Sequence, residues 1–260
     1  MKQSRHLIET RRGEILKLLR ENHRMRVDEL SRSFQVSELT IRRDLEELEK
    51  KGAVRRFFGG AEIVEEPIPL PHFAEKELTN SDEKAVVAEY AAGLVPNETS
   101  VFMNSGTTVL EVMRRIANKK AIIITNNAMA GSALGDGNCE LLSTGGIYNA
   151  NTCSFVGEYS TNLIKQTYAE TAILGVNGID VNSGITTSIF QETVLFKLML
   201  ERCRGQKIVV TDGSKIGRTR NYKSADIHQI DLVITTSKAD PEELEKIRSA
   251  GVQVILADQA

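Results

Sequence analysis

Tryptophan is absent from this 260-residue chain, cysteine occurs three times, proline five times, and aromatic side chains make up only 5%. Cys139, Cys153 and Cys203 stand far apart with no C-x-x-C spacing. That excludes a disulfide framework and a thiolate zinc site, and leaves reduced thiols packed as small hydrophobes. The four histidines, His6, His23, His72 and His228, are equally scattered, with no H-E-x-x-H, so no metal site is expected. No apolar run reaches the roughly 20 residues of a membrane span, and the charged N-terminus lacks the apolar core of a signal peptide. A cytoplasmic chain without a membrane partner is expected. Hydrophobic residues at 41% and charged residues at 26% are ordinary for a globular protein with a sizeable core.

The net charge of −2 conceals an uneven distribution. The first 60 residues carry 15 Lys and Arg against 10 Asp and Glu, and the remainder 18 against 25. A basic head on an acidic body suggests that the head meets a polyanion.

Within that head, Arg12 to His23 reads as an amphipathic helix with Ile15, Leu16, Leu18 and Leu19 on its apolar stripe. Val27 to Phe34 forms a second, short helix, with Val27, Leu30 and Phe34 at helical spacing. Gln35-Val36-Ser37 is a tight turn, and Ser37 is placed to cap a third helix, Glu38 to Lys51, that Gly52 ends. In it Leu39, Ile41, Leu45 and Leu48 are expected to pack inward, while Arg42, Arg43, Glu46, Glu47 and Lys50 face water or nucleic acid. This is the helix-turn-helix pattern, whose second helix lays its N-terminal part in the major groove. The residues exposed there are Ser37, Glu38, Thr40, Arg42 and Arg43, types that bond base edges or phosphates. Ala53 to Ile63 reads as a β-ribbon turning at Gly59-Gly60, with Arg55 and Arg56 suited to phosphate contacts. A plain three-helix bundle with a solvated charged face shares the periodicity. It does not explain the turn, the capping serine and the basic ribbon together.

The runs Arg11-Arg-Gly-Glu-Ile-Leu, Val36-Ser-Glu-Leu-Thr-Ile-Arg-Arg-Asp-Leu-Glu-Glu-Leu-Glu-Lys-Lys-Gly and Arg55-Arg-Phe-Phe-Gly-Gly-Ala resemble the DNA-binding domain of the DeoR family of sugar-metabolism regulators. The resemblance implies a winged helix-turn-helix, mainly α with a small β wing.

Pro67, Pro69 and Pro71 mark an extended connector. The expected organisation is a DNA-binding domain over 1–62, a connector over 63–79 and a second domain over 80–260. Asn80 is read as the cap of a helix through Val95, with Glu83 as its capping-box partner. Beyond residue 99, β-rich runs alternate with helical patterns: Val101 to Met103, Ala121 to Thr125, Glu140 to Ser143, Thr171 to Val176, Lys207 to Thr211, Leu232 to Thr235 and Val252 to Leu256. Such alternation implies an α/β domain with a largely parallel sheet covered on both faces, which binds ligands beyond the carboxyl ends of its strands. Polar residues gather at those ends: Asn104-Ser105-Gly106-Thr107-Thr108, Thr125-Asn126, Gly145-Gly146, Asn177-Gly178 and Asp212 with Lys215. A Gly-containing turn with hydroxyls at a helix start either caps the helix or binds an anion. Lys215 is either a point charge for phosphate or a solvated surface lysine.

These motifs, with Gln191-Glu192-Thr-Val-Leu-Phe-Lys197, also resemble the C-terminal effector domain of the DeoR family, related in fold to ribose-5-phosphate isomerase and glucosamine-6-phosphate deaminase. The resemblance implies a phosphorylated sugar or sugar-derived effector, with Glu192 and Lys197 among its contacts and no cofactor. Asn104 departs from the aspartate frequent in the family. The rival reading, a sugar-phosphate isomerase or deaminase, needs carboxylates where Gly175-Val-Asn177-Gly178 offers asparagine, so a sensor without turnover is expected. The expected partners are operator DNA, the effector and further copies of the chain, as homodimer or homotetramer.

Overall fold

The computed structural model describes residues 11–19, 22, 24–50, 53–63 and 73–260. The chain divides into two compact units between Leu70 and Pro71. In the first unit, residues 11–19 form helix α1. Strand β1 (Arg24–Arg26), helices α2 (Val27–Phe34) and α3 (Glu38–Lys50), and strands β2 (Val54–Phe57) and β3 (Gly60–Ile63) follow. Ile15, Leu19, Val27, Leu30, Ile41, Leu45, Leu48 and Val54 bury together, so the apolar periodicity of the head becomes one core. The Ser37 hydroxyl accepts from the Thr40 amide at 3.2 Å and caps α3 as expected. The expected glycine stop at Gly52 lies outside the described residues.

Leu39 does not pack inward: it is 59% exposed. At ~100° per residue it lies roughly 160° around the helix from Ile41. Its expected place in the core is taken by Asp44, which is buried and receives Arg11 Nε at 2.7 Å and Arg12 Nε at 2.8 Å. The wing is a three-stranded antiparallel sheet in the order β1-β3-β2 rather than a two-stranded ribbon. It turns at Phe58-Gly59, one residue earlier than expected, and Gly60 already pairs with Arg26 and Phe57. A Cβ at Gly60 would stand 2.4 Å from the Met25 carbonyl oxygen, so the close approach of β1 requires glycine there.

The second unit opens with helices α4 (Phe73–Leu78) and α5 (Ser81–Gly93). Next come β4 (Thr99–Met103), α6 (Thr107–Ile116), β5 (Ala121–Thr125), α7 (Ala130–Leu134), β6 (Glu140–Ser143), β7 (Ile147–Asn149), β8 (Ser154–Val156) and α8 (Glu158–Gln166). The remainder is β9 (Ala169–Gly175), β10 (Gly178–Asp180), β11 (Gly184–Thr187), α9 (Phe190–Arg202), β12 (Cys203–Val210), β13 (Tyr222–Ala225), β14 (Leu232–Thr235), α10 (Pro241–Ser249) and β15 (Gln253–Leu256).

All seven expected strands join one parallel sheet in the order β15-β14-β12-β9-β4-β5-β6. Alternate residues of a strand point to opposite faces. Val101 and Met103 accordingly bury on the α5–α6 side, and Phe102 on the α9 side. Ile208 and Val210 against Val209 repeat the division. The chain enters at β4, winds outward through β5 and β6, and returns at β9 to wind the other way. The switch point, the usual ligand crevice of such sheets, lies between β4 and β9. The small antiparallel sheet β10-β11-β13 and the β7-β8 hairpin are additions that the sequence reading did not include.

Two expectations fail at the start of this unit. Residues 73–78 are not extended connector: they form α4, with Phe73 buried in the core of the second unit and its amide bonded to the Asn151 carbonyl at 3.0 Å. The three prolines lie outside the described residues. Asn80 does not cap α5 through its side chain. Its backbone is left-handed, and its amide group donates to Asp212 Oδ1 at 2.9 Å instead. Glu83 is buried and accepts from the Gly213 amide and the Thr236 hydroxyl rather than closing a capping box.

Candidate functional site

The head offers a polar face built on α3 and the wing. Glu38, Arg42 and Arg43 are exposed there, and Thr40 is half-buried. Arg42 pairs loosely with Glu38 at 3.3 Å, an exposed contact that a nucleic-acid partner can replace at little cost. Arg55 is exposed and lies 3.6 Å from Glu62. Arg56 is more committed: its Nε donates to Glu49 Oε2 at 2.6 Å, and its amide to the same carboxylate at 3.0 Å. These bonds hold the Glu49 carboxyl below its ordinary range, and Arg56 thereby ties the wing to α3. Sequence reasoning missed Arg24 and Arg26, which β1 brings beside the wing. Arg24 sits over the Phe57 ring at 4.4 Å. A three-residue strand has no periodic signal by which to find them.

In the second unit the residues after β4 and β9 meet at the switch point. Asn104, fully buried, donates to the Gly175 carbonyl at 2.7 Å and accepts from the Gly175 amide at 2.9 Å and the Gly106 amide at 3.3 Å. Its side chain is spent on stitching two strand ends together. Gly106 and Gly175 allow this approach, since a Cβ on Gly106 would stand 3.2 Å from Gly175 Cα. Gly106 stands at the N-terminus of α6 and provides no side-chain cap, so no side chain at that position takes up the first amides of the helix.

Glu192 is buried at the start of α9, beside Ser105. Ser105 donates to its Oε1 at 3.1 Å, and the Thr187 hydroxyl lies 3.0 Å from both its Oε2 and Asn177 Oδ1. Burial pushes the Glu192 carboxyl above its ordinary range, against the opposing pull of Thr187, Ser105 and the charge of Lys76. Lys76, in α4, is held below the usual lysine range by burial; Glu192 opposes that shift, and the charges of Lys215 and Arg220 add to it. Burial likewise pulls the Lys84 ammonium down, against the charge of Asp212. Arg220 Nε donates to the Asn177 carbonyl at 3.3 Å. Lys215 reaches Asp212 at 3.3 Å and the Ser214 hydroxyl at 2.7 Å. Burial pushes the Asp212 carboxyl up, but Ser214, Lys215 and Asn80 outweigh it and hold the group below its ordinary value.

Ser105, Asn177, Glu192, Asp212 and Lys215 thus gather in one place, through the hydrogen bonds to Glu192, the Asp212–Lys215 pair and the charges that Lys76 feels from Glu192 and Lys215. Lys197 does not: it is exposed on α9 and lies 3.8 Å from Glu201. Gly145 and Gly146 turn the chain beyond the edge strand β6. The Gly145 carbonyl accepts from Ser160 there, and no hydrogen bond among the described residues joins the pair to Glu192 or Lys215. The Thr125 hydroxyl accepts from the Asn127 amide at 3.0 Å. Asn126 donates to the Phe155 carbonyl at 3.1 Å and leaves its Oδ1 buried without a partner. Lys76, Lys84 and Arg220 escaped the sequence reading because one precedes the expected domain and the others carry no motif. Among the described residues no cluster of His, Cys, Asp and Glu is arranged to hold a metal ion, and no helix is long and apolar enough to cross a membrane.

Two family models match the chain: one described as a DeoR-like helix-turn-helix domain, over residues 11–67, and one described as a DeoR C terminal sensor domain, over residues 79–237. The HTH-type transcriptional regulator GlpR of Haloferax volcanii is 33% identical over 94% of this chain and 96% of its own length. The putative aga operon transcriptional repressor of Escherichia coli O157:H7 is 34% identical over 96% of this chain and 94% of its own length. The glycerol-3-phosphate regulon repressor of E. coli K12 is 27% identical over 95% and 98%. Among solved structures, ribose 5-phosphate isomerase A of Methanocaldococcus jannaschii aligns with a TM-score of 0.39 at 16% identity, over 53% of this chain and 55% of the isomerase.

Proposed function

The chain belongs to the DeoR family of helix-turn-helix transcription regulators, and from that premise we propose that it represses a carbohydrate-utilisation operon and leaves its operator when a phosphorylated sugar or sugar-derived molecule occupies the rim of the sensor sheet. As a member of that family it is a regulator and not an enzyme. The observation that carries the effector reading is the convergence of the uncapped start of α6, buried Glu192 and the cations Lys76, Lys215 and Arg220 at the β4/β9 switch point. Helix amides and cations suit a phosphate. A carboxyl flanked by the Ser105 and Thr187 hydroxyls suits the hydroxyls of a polyol. A relative named for the glycerol-3-phosphate regulon favours the same ligand class.

The repressor works in the cytoplasm as a homodimer or homotetramer, because paired heads match paired operator half-sites. The effector lowers operator affinity by binding more tightly to the arrangement of heads that fits the operator less well. A thermal-shift screen against sugar phosphates and their unphosphorylated counterparts tests this. Selective stabilisation by one phosphorylated compound is expected, and Lys215→Ala should bind operator normally but resist release by that compound. If no phosphorylated compound stabilises the protein, the sensor reading fails. A Lys215→Ala protein released as readily as the parent would put Lys215 outside the site.

A further inference from the structure

Ile41, Asp44, Leu45 and Leu48 define the buried face of α3. Leu39 sits near the centre of the opposite face, in the first helical turn, and is 59% exposed. At 3.6 residues per turn, its neighbours on that face are Arg42 and Arg43, three and four positions on, and Glu46 two turns on. All three are exposed. Scattered exposed leucines need no explanation; the place of this one does. It interrupts a charged surface where a helix-turn-helix lays the first turns of its second helix against base edges. The arginines on either side suit a polyanion rather than an apolar protein surface. In the major groove the apolar group on offer is the 5-methyl of thymine.

We propose that Leu39 is a specificity-determining residue whose isobutyl group packs on the 5-methyl of a thymine in each operator half-site, beside the contacts of Arg42 and Arg43. The inference rests on the DNA-binding reading of the head and is independent of the effector. It assigns part of the operator preference to the loss of apolar surface from water, in addition to hydrogen bonds from Thr40 and the arginines.

The test starts from a random duplex library from which the full-length protein selects its preferred sequence. Each thymine of that duplex is then replaced singly by deoxyuridine, which removes only the methyl. With the parent protein, one thymine per half-site should lose about fourfold in affinity on replacement, the equivalent of ~0.8 kcal/mol for one buried carbon. With Leu39→Ala, an exposed change to a better helix former, the same replacement should cost nothing, while penalties at other thymines persist. Leu39→Met, which keeps apolar reach, should restore most of the penalty. The proposal is overturned if no thymine shows a methyl penalty with the parent, or if Leu39→Ala keeps the parent's penalty at every position. It is also overturned if Leu39→Ala changes the oligomeric state and not the methyl penalty, which would make this leucine a contact between copies. Selection of no sequence at all would instead sink the DNA-binding reading beneath it.

Discussion

Asn104 does with one amide what an aspartate at the same position does only in part. It accepts from the Gly175 and Gly106 amides and also donates to the Gly175 carbonyl, so both backbone groups of Gly175 are satisfied at the point where β4 and β9 part. The asparagine thus serves the frame that holds the ends of β4 and β9 together. Glu192 is the opposite case, a group kept at a cost to the fold. Its carboxyl is raised by burial, so the stabilisation that accompanies its protonated form is complete at low pH and is lost as the pH rises through the raised value. Glu192→Gln, which cannot ionise, should melt higher than the parent above the ordinary carboxylate range, with the gap widening as pH rises, while its response to effector falls. Melting curves from pH 5 to about 8.5 check the sign. A variant whose melting tracks the parent at every pH would show that the carboxylate is adequately solvated or paired in the fold.

At the scale of elements, α3 shows how closely stability and reading are joined. Ser37 caps it, Ile41, Leu45 and Leu48 anchor it, and buried Asp44 binds Arg11 and Arg12 of α1 through its two oxygens. Replacing Asp44 with alanine removes the partner of both guanidinium groups. It should destabilise the head by about 2 kcal/mol, since bonds to charged groups are each worth roughly 1.5–3 kcal/mol and the arginines here retain some solvent. Urea unfolding followed on the isolated transition of the head tests this, and a loss below about 0.5 kcal/mol would mean that water replaces the carboxylate without penalty. The turn, the cap and three of the four inward positions of α3 were legible in the sequence because they are local. Leu39 was misplaced and Asp44 was not placed at all, because leucine reads as core and the charged R-R-D run gives no inward signal until the partner helix is known. The short elements β1 and α4 were invisible for a related reason: three or six residues cannot carry a period.

For the whole molecule, the basic head and acidic body place the polyanion contact on the first unit, and operator affinity should fall linearly with salt on logarithmic axes, by about 0.9 per phosphate neutralised. Arg55, exposed on the wing, is positioned for such a contact, whereas Arg56 is held by Glu49. Arg55→Ala should reduce the slope by about 1 with little change in sequence preference. An unaltered slope would remove Arg55 from the phosphate contacts. Much of the architecture was present in the linear pattern. The head's motif, the seven parallel strands and the polar residues at their carboxyl ends follow from periodicity, turn residues and runs of β-branched side chains, which act over a few positions and are written where they act. Strand order, and with it the switch point at β4 and β9, was decided only by tertiary structure. So was the meeting of Lys76, Lys215, Arg220 and Glu192, residues up to 144 positions apart in the chain. Their association depends on how helices and strands pack across long sequence separations, and neither charge nor spacing along the chain encodes that distance.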